Sequence, residues 1–235
     1  RRCLAGQDPR RIAAVGLSSQ REGVVPIGRD GKPLSRCIIW MDRRCRPQSG
    51  RLGEEFGESF LHHHTGVAPD PNYTACKLLW LHENEPDLLA RTAVFLQPRD
   101  FLYYRLTGEP ATDHTLASRT MMIDLRKAHW WPEMFARVGV RLDQFPPVYR
   151  STEAPYRVAA DAAAALGVPA GVPVALGAGD RACEGVGAGL SGNRASDSTG
   201  TATQISMVTD RLPESLGRVP CGIHAVPGRY LFELG

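Results

Sequence analysis

Short apolar runs bounded by Gly, Pro, Asn and Asp alternate along the chain with segments of helical apolar spacing, which predicts an α/β fold. Residues 12–17 form an apolar run ending in Ser18-Ser19 and predict a buried strand. A second strand is expected over 24–27 and a third over 37–40, with Asp30-Gly31 as the turn of a hairpin between them. Residues 74–82 predict a helix with Ala75, Leu78 and Leu79 on one face. Pro86 is suited to open a further helix, because proline fits a first-turn position. A strand follows over 93–96. The helix expected over 98–107 starts at Pro98 and stops at Gly108, a residue that tolerates the positive φ of a helix end. Pro132 and Gly139 bracket another helix, and an alanine-rich one over 159–166 ends at Gly167. The strand expected over 172–176 runs into Gly177-Ala178-Gly179-Asp180, and a helix of small residues is expected to continue to about position 190. Residues 195–199 and 203–208 read as a strand pair around Gly200-Thr201. No linker divides the chain, so one compact domain is expected.

Composition narrows the class little: 43% of the 235 residues are hydrophobic and 23% charged, as in ordinary globular chains. No apolar run approaches the roughly 20 residues that span a bilayer, so no membrane partner is expected. The first residues carry no signal-like apolar segment. The chain does not begin with Met, and it is expected to start inside a longer protein. The six cysteines form no C-x-x-C pair, which argues against a zinc ribbon and favours reduced thiols and a cytoplasmic setting. Residues 1–51 hold twelve Arg/Lys against four Asp/Glu, within a net charge of +3. The arginines are dispersed and lack interleaved aromatics, so nucleic acid is not an expected partner.

Three segments could carry chemistry. In Gly177-Ala178-Gly179-Asp180-Arg181 a strand end, two glycines and a carboxylate meet where open α/β sheets place ligands. Asp180 could accept a hydroxyl proton there, and an N-cap accounts for it equally well. Ser196-Asp197-Ser198-Thr199-Gly200-Thr201 could aim hydroxyls and backbone N–H groups at a phosphate, or be an ordinary hairpin. Gln20-Arg21-Glu22, between two strands, offers donors and acceptors suited to vicinal hydroxyls, or an exposed ion pair. His62-His63-His64 lacks a partner at metal-ligand spacing, so no metal site is expected from it. P-loop, dinucleotide-fold and serine-elbow motifs do not occur.

Taken in order, these segments resemble the FGGY carbohydrate kinases. Residues 12–27, with Gln20-Arg21-Glu22, are similar to that family's strand, sugar-contact turn and returning strand. Asp30-Gly31-Lys32-Pro33-Leu34 followed by Ile38-Ile39-Trp40-Met41-Asp42-Arg43-Arg44 is similar to its "DGKPL…IIWxDxR" stretch. Residues 74–84, with Lys77 and Trp80, nearly match its first signature. Gly177–Asp180 resembles the segment of the catalytic aspartate, and Ser198-Thr199-Gly200-Thr201 the second phosphate loop. The resemblance implies an actin-like ATPase, ribonuclease-H-like fold, a mixed sheet flanked by helices. It also implies ATP with Mg²⁺ as cofactors and a small sugar or polyol as partner. Residues 1–235 would be most of the N-terminal, sugar-binding domain without its first strands, and the C-terminal adenine-binding domain would lie outside it. On that basis the chain alone is expected to be inactive.

By the same resemblance Asp180 is the catalytic base, and Gln20, Arg21, Glu22, Asn72, Asp180 and Arg181 contact the substrate. Ser198, Thr199, Gly200 and Thr201 would bind phosphate. Gln20-Arg21-Glu22 is closer to glycerol kinases than to the Gln-Met-His of xylulokinases. Asn72 stands where glycerol kinases have tyrosine, and Arg181 where they have Gln and xylulokinases Asn, so ketopentose and polyol both stay open. A non-catalytic sugar-binding relative and an actin-like cytoskeletal or chaperone domain are the competing readings. A homodimer is admitted as an assembly.

Overall fold

The structure, a computed structural model, describes residues 4–192, 194–199 and 203–235. In chain order its first part comprises β1 (Val15–Ser19), β2 (Val25–Gly28), α1 (Arg46–Phe56), α2 (Glu58–Thr65), α3 (Thr74–Asn84), α4 (Pro86–Arg91), β3 (Thr92–Leu96) and α5 (Pro98–Thr107). Short pieces follow: β4 (Thr112–Asp113), α6 (His114–Ala117), β5 (Ile123–Asp124), β6 (His129–Trp130), α7 (Pro132–Arg137), β7 (Val148–Tyr149) and β8 (Tyr156–Arg157). The last part holds α8 (Ala160–Leu166), β9 (Pro173–Gly179), α9 (Asp180–Gly187), β10 (Ala195–Thr199), β11 (Thr203–Thr209), β12 (Cys221–Ile223) and β13 (Tyr230–Leu234).

Two sheets position the candidate site. β1 is the end strand in the order β1-β9-β8, parallel to β9 and in register from Val15↔Val174 to Ser19↔Gly179. The register shifts between Gly16 and Ser18, where Gly177 has φ +68°. A Cβ at Gly177 would stand 1.7 Å from the Leu17 carbonyl oxygen, so only glycine permits this approach. The second sheet runs β10-β11-β13-β12, antiparallel throughout. Ala178, Ala182 and Leu190 pack against its Val208 and Leu231, fixing α9 beneath it. A larger apolar core joins α1, α3 and α7 through Leu52, Leu78, Leu79 and Met134.

The helices bounded by proline and glycine fall where the sequence places them. Gly108 and Gly167 close α5 and α8 in the left-handed conformation, each N–H returning to a helix carbonyl. The expected hairpin over 24–40 is corrected. The chain does reverse at Asp30-Gly31, but 37–40 is not a strand. Only the bridges Val24↔Ile38 and Ile27↔Pro33 form, and β2 pairs instead with β3. Pro26 and Pro33 have no N–H to give, which cuts the local ladder. The sequence did not signal α1 or α2. α1 carries two glycines and buries Gln48 and Ser49 beside Leu52, so no apolar stripe betrays it. The three histidines lie on α2 and diverge: His62 Nε2 is 3.0 Å from the Val219 carbonyl, His63 is exposed, and His64 packs on Trp131. Among the described residues no helix is long and apolar enough to cross a membrane.

Candidate active site

The parallel pairing of β1 with β9 brings two sequence-distant corners together. β1 leads into Gln20-Arg21-Glu22, and β9 leads into Asp180 at the start of α9. The two corners share a cleft of about 380 Å³, also lined by Trp40, Asn72, Tyr73, Arg119, Arg181 and Glu233. Arg21 Nε lies 3.6 Å from Asp180 Oδ1. The Asp180 side chain is 44% exposed, whereas those of Arg21 and Glu22 are 9% exposed.

Glycine again permits the geometry. A Cβ on Gly179 would meet the Arg21 side chain at 2.3 Å. The Gly179 N–H donates to Thr115 Oγ1 at 3.0 Å, and Thr115 Oγ1 donates to Asp113. Arg99, fully buried on α5, donates to the carbonyls of Leu176 and Gly177 and to Asp113 at 2.7 Å. The end of β9 is thus held by buried polar groups with charged anchors. Asp180 is not the N-cap of α9. Gly179 holds that position, and Asp180 occupies the first turn, where its Oδ1 accepts from the Arg181 N–H at 2.8 Å. Burial raises the Asp180 carboxyl above its ordinary pKa, and the Arg21 guanidinium pulls the other way.

The Gln20–Glu22 corner is equally constrained. Glu22 has φ +63°, an uncommon conformation for a residue with a side chain. Its N–H donates to Gln97 Oε1 at 2.8 Å, and its carbonyl accepts from Lys77 Nζ at 3.0 Å. Lys77 also donates to the Asn72 carbonyl, so one buried ammonium ties both loops of the cleft. Burial lowers the Lys77 pKa. Asn72 Oδ1 is buried with no hydrogen-bond partner among the described residues.

Behind the corner, two carboxylates face two guanidiniums. Arg21 donates to both oxygens of Glu233, at 2.9 and 2.8 Å. Arg119 Nε donates to Glu22 Oε1 at 2.9 Å, and its Nη1 lies 3.3 Å from Glu233 Oε2 at ion-pair distance but off hydrogen-bond geometry. Arg119 also lies over the Tyr73 ring. Glu22 is therefore a partner of a buried cation as well as a wall of the cleft.

Arg181 turns along its own helix and toward the second sheet, donating to Glu184 Oε2 at 2.9 Å and to Ser198 Oγ at 3.2 Å. Ser198, exposed on β10, thereby stands beside the start of α9, whereas the Thr199 hydroxyl donates to Asp197 Oδ1 at 2.8 Å. Gly200 and Thr201 lie outside the described residues. Arg119, Glu233, Tyr73 and Gln204 escaped the sequence reading. A single arginine or glutamate in an apolar stretch carries no local sign of its partner. Trp40 and Lys77 sat inside quoted motifs without a role.

The model of the N-terminal domain of the FGGY family of carbohydrate kinases matches residues 3–187. The chain belongs to this family. It is 33% identical over 223 residues to the xylulose kinase of Escherichia coli, covering 93% of this chain and 45% of that protein. It is 37% identical over 150 residues to the glycerol kinase of Thermococcus gammatolerans, covering 62% of this chain and 30% of that one. The solved xylulose kinase of Rhodospirillum rubrum superposes with a TM-score of 0.89 at 25% identity, over 94% of this chain and 45% of that one. The fold is accordingly the actin-like, ribonuclease-H-like one. The chain spans less than half the length of these relatives.

Proposed function

We propose that this FGGY chain is the sugar-binding and catalytic part of an ATP-dependent kinase. The acceptor would be a hydroxyl of a small sugar or polyol, a ketopentose such as xylulose or a glycerol-like polyol. The observation that supports this best is the half-exposed Asp180 carboxylate in a cleft shared with Arg21 and Glu22, 3.6 Å from Arg21 Nε. In this reading Gln20, Glu22 and Asn72 orient the acceptor's vicinal hydroxyls from one wall. Asp180 takes the proton of the attacking hydroxyl as its oxygen bonds to the γ-phosphorus and the bond to the ADP oxygen breaks. The raised pKa of Asp180 brings its basicity closer to the working pH, which favours general-base work.

The donor set beside α9 fits a nucleotide's phosphates: the Ser198 hydroxyl and the Arg181 guanidinium meet there. Bound ATP supplies the transferable phosphoryl group and Mg²⁺ neutralises its charge. Among the described residues no group of three or more His, Cys, Asp or Glu could hold a metal. Arg181 serves the phosphate side in this reading more than the substrate side.

The test is a coupled assay of ADP release by the full-length protein against a panel of ketopentoses and polyols. Turnover on a member of the panel is expected. Binding without turnover across the panel would overturn the kinase reading in favour of a non-catalytic sugar-binding relative.

A further inference from the structure

Glu233 lies at the end of β13, 212 residues from Arg21 in sequence, and is 4% exposed. Its carboxylate accepts both terminal nitrogens of Arg21, accepts Gln204 Nε2 at 3.0 Å, and stands 3.3 Å from Arg119 Nη1. Burial pushes the Glu233 carboxyl up, but Arg119 and Arg21 bring it down to about 2, so it is ionised at neutral pH. With Glu22 on Arg119, the buried wall holds two guanidiniums against two carboxylates. Arg21 keeps only Nε unbonded, and that atom faces Asp180.

We propose that Glu233 is a positioning and specificity residue of the cleft: by occupying Arg21 and approaching Arg119 it balances the buried charge, so that the cleft takes an uncharged polyol or ketose and rejects the corresponding sugar acid. The inference rests on the kinase reading and refines its substrate class. A buried guanidinium without its carboxylate seeks another one, because an uncompensated buried charge is costly. Arg–carboxylate pairing is bidentate and geometrically selective, so a ligand carboxylate is a natural replacement. With Glu233 in place that replacement is redundant, and a sugar acid would bring an uncompensated negative charge beside Asp180.

The experiment measures, by calorimetry on the full-length protein, the affinities of a pentitol and of the aldonic acid of equal length. Wild type, Glu233→Gln, Glu233→Asp and Arg21→Met are compared. Glu233→Gln is expected to weaken the pentitol at least tenfold and to raise the aldonate-to-pentitol affinity ratio at least tenfold. Glu233→Asp, which keeps the charge, is expected to hold the ratio near wild type. Arg21→Met leaves the excess charge negative and is expected to lower the ratio, which keeps the inference testable if Glu233→Gln does not fold. A ratio unchanged within threefold in folded Glu233→Gln, or in Arg21→Met if the first is unfolded, would overturn it. Wild-type protein that phosphorylates the aldonate in preference to the pentitol overturns this inference and leaves the kinase reading standing; protein that phosphorylates neither a polyol, a ketose nor an aldonate overturns both.

Discussion

Replacing Asp180 by Asn separates chemistry from folding at this site. The side chain is 44% exposed, and its contacts are an ion pair to Arg21 at 3.6 Å and a hydrogen bond from the next residue's N–H. An amide keeps the shape and can accept that N–H, but it cannot take a proton. General-base removal costs about 10²–10⁴ in rate, or about 2.7–5.5 kcal/mol of barrier. The stability change runs the other way. Because burial raises the folded-state pKa of Asp180, its charged form is disfavoured by folding at neutral pH, and neutralising it removes that penalty. Solvent screening of so exposed a group keeps the gain below about 1 kcal/mol. Asp180→Asn in the full-length protein should therefore lose at least a hundredfold in kcat while its melting temperature stays level or rises slightly. Steady-state kinetics and thermal melts with and without acceptor are the measurements. A kcat within tenfold of wild type would refute the base assignment, and a melting point lower by many degrees would refute the placement of this carboxylate on the open cleft.

Two further outcomes test the framework around it. Gly177→Ala puts a Cβ in the left-handed region (φ +68°) and 1.7 Å from the Leu17 carbonyl oxygen, whereas Gly171→Ala, also at positive φ (+81°), meets nothing within 4 Å. Denaturant titration should show about 1–2 kcal/mol lost at Gly171, from backbone strain alone, and about 2–5 kcal/mol at Gly177, where collision adds to it; equal losses would mean that the β1–β9 approach is looser than described. Glu233 has a folded pKa lowered from 4.5 to about 2, so its contribution to stability is complete above 4.5 and is lost as pH falls from there toward 2. Acid titration of the melting temperature should therefore decline less steeply across that window in Glu233→Gln than in wild type, and parallel declines would contradict the ionised, paired state of Glu233.

Much of this protein could be read along its chain. Pro98 with Gly108, Pro132 with Gly139, and the alanine run ending at Gly167 mark helices because proline and glycine act through their own backbone preferences, without needing neighbours. The small residues before Asp180 identify its corner for the same reason: only glycine admits the approaches made at Gly177 and Gly179. Only the tertiary structure could assign the pairings. β2 has a plausible local partner in 37–40 and takes β3 instead, since sheet partners are chosen by the whole packing and Pro26 and Pro33 weaken the local ladder. α1 forms without an apolar stripe because its packing on α3 buries Gln48 and Ser49. Arg21 and Glu233, or Glu22 and Arg119, become partners because β1, β9 and β13 converge on one cleft. Ion pairing depends on distance in space, and separations of 212 and 97 residues leave no trace of it in the order of the amino acids.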